Sequence, residues 1–252
     1  MYRSGNPALN DSTFEKSAYK EVSWWEDSES NLMSMNGVVD KTALLLTIVT
    51  LTAIAVYLTV PISLFLTLLG AIVGFVVALI IIFSGSMNPI LICTYAACQG
   101  LFLGGITWII EYQYNAPGLG IVAAVLTFLI LGVMLSIYRA GLISWNKNMQ
   151  IAVTSSMVAI LLIYLVSFIG SFVGFEVPLI HGNGAVGIAF SVFVVGIASL
   201  CLVADFDFIE RGVERGAPKQ LEWRAAFGLL VTLIWLYLEI LKLLAKLAAS
   251  RR

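Results

Sequence analysis

Seven apolar runs of about twenty residues divide the chain, each bounded by polar or turn-forming positions. In hydrocarbon the backbone must satisfy its own hydrogen bonds, so each run of roughly 20 apolar residues predicts a membrane-spanning helix. The runs are Ala43–Val60, closed by Pro61; Ile62–Phe83; Ile90–Ile110, after Asn88-Pro89; Gly120–Ile137, after Asn115-Ala116-Pro117-Gly118; Ile151–Val173; Gly184–Ala204; and Ala225–Leu247. The expected fold is an all-α seven-transmembrane-helix bundle over residues 41–252, preceded by a polar tail over 1–40 that carries ten charges. Small residues four apart, Gly70/Gly74, Gly100/Gly104, Gly170/Gly174 and Gly187/Ser191, would let these helices pack closely into one compact domain.

Composition agrees with lipid as the solvent: 60% of residues are hydrophobic and 12% charged, and the mean hydropathy is +0.97. A net charge of −1 argues against nucleic acid as a partner. Cys93, Cys98 and Cys201 lie inside apolar runs, at spacings that make neither a disulfide framework nor a metal site, and read as small hydrophobes. The polar start is unlike a cleavable signal peptide, so insertion is expected to begin at the first span.

Seven spans put the two ends of the chain on opposite sides. Ten basic residues (Arg3, Lys16, Lys20, Lys41, Arg139, Lys147, Arg211, Arg215, Lys219, Arg224) fall on the N-terminal side and four (Lys242, Lys246, Arg251, Arg252) on the other. The positive-inside rule makes the N-terminus cytoplasmic. All four opposing charges lie at the C-terminal end, so a last segment that enters and turns back stays open beside a full span.

Ionisable residues inside a membrane cost about 2.5–3.5 kcal/mol each at a helix centre on insertion scales, so each asks for a reason. Asp205 ends the sixth run, and Asp207 points about 200° away from it on a helix. Glu239 interrupts the seventh run, with Thr232, Trp235, Lys242 and Lys246 within about 60° of it on one stripe. Asp205 and Glu239, meeting inside the bundle, would form a coupled acid pair able to hold a proton or a cation. Two plainer readings stay open: Asp205 as an interfacial residue at a wet helix end, and Glu239 neutralised by Lys242 at i+3. Glu210, Arg211, Glu214 and Arg215 read as a solvated mixed-charge loop, and His181 as a solvated outer-loop residue with pH sensing as the minor alternative.

Enzyme signatures fail. Asp205-x-Asp207 begins like a calcium loop, but Glu210 stands where its turn needs glycine, and the chain has no His-Glu-x-x-His, Gly-x-Ser-x-Gly or P-loop. No enzymatic activity and no soluble cofactor are expected.

The last third holds Asp205-Phe206-Asp207-Phe208-Ile209-Glu210, Gly216-Ala217-Pro218-Lys219, Glu222-Trp223, Ala226-Phe227-Gly228-Leu229 and Trp235-Leu236-Tyr237-Leu238-Glu239-Ile240. Earlier come Asn6-Pro7-Ala8-Leu9, Gly37 with Lys41-Thr42, Tyr95-Ala96, Gly100-Leu101-Phe102-Leu103-Gly104 and Tyr138-Arg139-x-Gly141-Leu142-Ile143. Together these resemble the bacterial branch of the transmembrane Bax inhibitor motif family. The resemblance implies a seven-helix bundle of the cytoplasmic membrane with the last helix central, and a pH-dependent calcium leak gated by an acid pair. By motif position that pair is Asp205 and Glu239, with Asp207, Lys242 and Gln99 as further members of a polar path. The better-known members carry aspartate at the second acid, and this branch usually has glutamate where Gln99 stands, an amide that cannot bind a cation by charge. Besides the lipid bilayer and calcium or another cation, the resemblance suggests a different class of partner, a membrane-bound quality-control protease that a non-transporting regulator would contact through its polar N-terminus. That N-terminus could equally be a disordered leader.

Overall fold

A computed structural model describes residues 31–59, 64–172, 174, 180, 182 and 184–250. The readings made for the tail 1–30, Pro61, His181, Arg251 and Arg252 lie outside the described residues. The described chain forms seven long helices: α1 (Met35–Thr59), α2 (Leu64–Ser84), α3 (Pro89–Gln113), α4 (Leu119–Arg139), α5 (Lys147–Ser171), α6 (Ala185–Glu214) and α7 (Leu221–Ser250). All seven are long and apolar enough to cross a bilayer, so the protein is an all-α, multi-pass membrane protein. At 1.5 Å per residue, the 30 residues of α7 reach about 45 Å, more than the roughly 30 Å of a hydrocarbon core, which gives the last helix the length of a full span.

Burial separates the helices. In α7, 61% of the most apolar window is buried, against 17% in α5 and 22% in α1 and α4. The less buried helices instead expose large apolar side chains, such as Leu58, Phe65, Ile121 and Leu161. In water that surface would be an aggregation hazard, and in lipid it is the natural outer face.

The helices fall into two compact units: Asp205–Val231 with the chain up to Ile109, and Ile110–Ala204 with the chain from Thr232 onward. In the first unit α3 packs through its glycines. A side-chain carbon at Gly100 or Gly104 would strike Thr52 or Ala53 of α1, and one at Gly70 of α2 would lie 2.6 Å from the Cys98 carbonyl oxygen. These pairs do pack helices, as the spacing predicts. Gly170/Gly174 is not a pair on one helix: α5 ends at Ser171 and Gly174 sits beyond it at φ +75°, with no described atom within 4 Å of where a side-chain carbon would stand. The second unit is built on Trp145, Val153, Ile160, Val194, Ile197 and Cys201, with Trp235 and Tyr164 packed against this core. Asn146 starts α5 by accepting a hydrogen bond from the Met149 N–H at 2.9 Å.

The helix α6 departs from the expected end at Ala204. It continues through Glu214, so Glu210, Arg211 and Glu214 are helical and not part of a loop. The added turns are amphipathic: Phe208 and Ile209 pack with Met33, Val38, Ala217, Leu221 and Ala225, while Glu210 and Glu214 stay exposed. The same core fixes the chain before α1. The Met33 N–H donates to the Ala217 carbonyl at 2.6 Å and the Lys219 N–H to the Asn31 carbonyl at 2.8 Å, around an isolated bridge between Leu32 and Pro218. Residues 31–34, read from sequence as polar tail, are thus clasped to the α6–α7 connection, and α1 starts before residue 41.

Candidate functional site

One face of α7 carries Trp235, Glu239, Lys242 and Lys246 at spacings of four, three and four, so a helix stacks them in a row. Glu239 is 2% exposed, and a carboxylate so buried keeps its charge only if its oxygens are satisfied. Three donors do this. The Tyr164 hydroxyl of α5 donates to Oε2 at 2.8 Å, the Trp235 indole N–H donates to Oε1 at 3.1 Å, and the Lys242 ammonium donates to Oε1 at 2.7 Å. Lys242 also donates to the Tyr164 hydroxyl oxygen at 3.1 Å and lies 4.5 Å from the centre of its ring. Its side chain is 38% exposed.

One turn further along, Lys246 is buried and donates to the Gly187 carbonyl and the Ser191 hydroxyl of α6, both at 2.9 Å. Gly187 and Ser191, expected as a helix-packing pair, thus also hold a buried ammonium. The face of α7 within this unit presents one carboxylate between neutral donors, with two ammoniums toward its C-terminal end.

The first unit holds Asp205, Asp207 and Gln99. Asp205 is 0% exposed on the interior of α6, so it is not a wet helix end. Asp207 turns the other way, is half-buried and forms an ion pair with Arg211 one turn on, which matches the expected divergence of the two aspartates. The Gln99 amide lies over the bare backbone of Gly74, its nitrogen 3.1 Å from where a side-chain carbon would stand. Among the sequence-derived candidates, the structure brings Glu239 and Lys242 together. Asp205 and Glu239 belong to different units.

Three groups escaped the sequence reading. Tyr164 is a tyrosine in an apolar span with no pattern to single it out. Glu222, expected only as part of a family motif, is fully buried: it accepts from the Ser34 backbone N–H at 2.9 Å and the Ser34 hydroxyl at 3.1 Å and pairs with Lys41, which also stands 5.4 Å from the Trp223 ring centre. Glu111 accepts from the Gly120 N–H at 2.8 Å and so satisfies the first turn of α4, where Gly118 has no side chain to do it. Acids just outside the apolar runs were the available signal for both. No cluster of three or more His, Cys, Asp or Glu able to hold a metal occurs among the described residues.

No curated protein matches the chain in a direct sequence comparison. The family model described as Bax inhibitor 1 like matches residues 6–249, which takes in all seven helices, the buried Asp205 and the Glu239 row, and the chain belongs to that family.

Proposed function

We propose that the protein is a cation leak or transporter of the bacterial cytoplasmic membrane, with calcium the expected ion and Asp205 and Glu239 the acids whose protonation governs the flux. The observation that carries this reading is Glu239: a buried carboxyl group on an apolar, membrane-spanning helix, hydrogen-bonded by an ammonium and two neutral donors, where a purely structural helix would carry an apolar residue. Asp205 supplies a second buried acid, the one that the family resemblance pairs with it. A single carboxylate with neutral neighbours holds a divalent ion weakly, since calcium prefers six to eight oxygen ligands. Weak holding suits passage better than storage. The reading is of a transporter without enzymatic activity or cofactor, its N-terminus cytoplasmic by the excess of basic residues on that side.

Calcium flux into proteoliposomes of the purified protein, at about pH 6 and about pH 8, tests it with an Asp205→Asn/Glu239→Gln variant alongside. Flux that differs between the two pH values, with the difference lost in the variant, is the expected result. Absence of flux at both pH values from folded protein would overturn it in favour of a non-transporting regulator of a membrane-bound quality-control protease. Deleting residues 6–31 would then abolish the effect on the protease.

A further inference from the structure

We propose that Lys242 is a tethered counter-cation, which fills the cation position at Glu239 in the resting protein and must swing away before an ion is taken up. This rests on the reading of Glu239 as the acid that meets the ion, and it assigns the selectivity and resting closure of that site to one residue.

Both oxygens of Glu239 are engaged by the protein itself. A calcium ion needs carboxylate oxygens at about 2.3–2.6 Å, a shell that the Lys242 ammonium at 2.7 Å from Oε1 already occupies. Trp235 and Tyr164, the other two partners, are neutral and can stay in place as donors or, for the tyrosine oxygen, turn to accept. Among the described residues, Lys242 is therefore the one cation hydrogen-bonded to Glu239, and its departure opens the site. Lys246 faces the same acid from the next turn but is committed to the Gly187 carbonyl and Ser191, so it adds positive field without competing for Oε1.

The site also provides for the departure. Lys242 has a flexible four-carbon stem and an exposed flank, and it already contacts a second station, the hydroxyl and ring face of Tyr164. An ammonium moving along the tyrosine leaves Oε1 while Tyr164 keeps Oε2 oriented. A bound lysine makes the resting pair neutral, and an entering cation replaces that positive charge once lysine has left.

The test uses terbium as a calcium-sized luminescent probe, excited through tryptophan, on full-length protein in detergent at about pH 8. Trp235, hydrogen-bonded to Glu239, places a sensitiser beside the site. Lys242→Met should bind terbium at about tenfold lower concentration than the wild type, the gain vanishing in Glu239→Gln/Lys242→Met. Equal binding by wild type and Lys242→Met, or a gain that survives Glu239→Gln, overturns the counter-cation. Should Lys242→Met fail to run as a folded monodisperse species, Lys242→Gln, which keeps a donor toward Tyr164, takes its place with the same expectations. Calcium flux measured in parallel separates the two readings. A terbium gain in variants that conduct nothing removes transport and keeps the counter-cation. Wild-type flux with unchanged terbium binding in Lys242→Met keeps transport and removes the counter-cation.

Discussion

Glu222 and Glu239 are buried acids with opposite lessons about what a neighbouring lysine does. Lys41 and Ser34 bind Glu222 at the start of α7, where the carboxylate ties the residues before α1 to the α6–α7 connection. That is a clasp. Glu222→Ala removes the acceptor for Ser34 and strands Lys41, and breaking a buried pair from one side costs about 3 kcal/mol at the low end of the usual range, suited to a lysine that is partly exposed. Unfolding in mixed micelles with denaturant should show that loss, with Lys41→Met milder because it leaves Glu222 its two bonds from Ser34. Tyr164→Phe removes a hydrogen bond to an ionised acceptor and should cost about 1.5–3 kcal/mol by the same measurement. A Tyr164→Phe variant as stable as the wild type would mean that Glu239 is held by Trp235 and Lys242 alone. The acids in or beside the last run could be found in the sequence because charge stands out against an apolar background. Tyr164 could not, since its role comes only from where α5 passes α7.

Among the elements, α6 taught the most. The charges after Asp205 suggested a loop, yet the helix persists to Glu214 because Phe208 and Ile209 fall on one face and find a core. Charge density alone does not end a helix when the apolar residues between the charges keep helical spacing. Ile209→Ala should therefore cost about 2–5 kcal/mol in thermal unfolding, whereas exposed Glu214→Ala should stay within about 0.5 kcal/mol. Equal effects at both positions would mean that this turn has no buried face. The glycines of α3 make a similar argument about close approach. Gly104→Val forces side-chain carbons into the Ala53 backbone of α1, and such overpacking should cost at least about 1–3 kcal/mol, visible as a lowered melting temperature and loss of monodispersity in detergent. Spacing correctly marked Gly70/Gly74 and Gly100/Gly104 as contact points, but it also marked Gly170/Gly174, between which the helix ends. A four-residue interval says which residues share a face, not whether a partner lies there.

For the molecule as a whole, the reading of orientation places the α6–α7 connection in the cytoplasm and the end of α3 outside. In a background without Cys93, Cys98 and Cys201, Lys219→Cys should react with a membrane-impermeant maleimide only from the cytoplasmic face of oriented vesicles, and Gln113→Cys only from the other; both are exposed. The reverse pattern would invert the topology and with it the assignment of the ten basic residues to the cytoplasm. Seven spans, the membrane environment, the family and the acid on the last helix were legible in the sequence, because hydrocarbon imposes a length and a hydropathy that no other constraint can hide. Lys242 on Glu239, at i+3 on one helix, was among the readings the sequence left open. The partners that lie on other elements were decided by tertiary structure alone: Tyr164 on Glu239, Lys41 and Ser34 on Glu222 and Gly120 on Glu111. A hydropathy profile records the cost of burying a charge, while the partner that offsets it depends on which helix packs alongside.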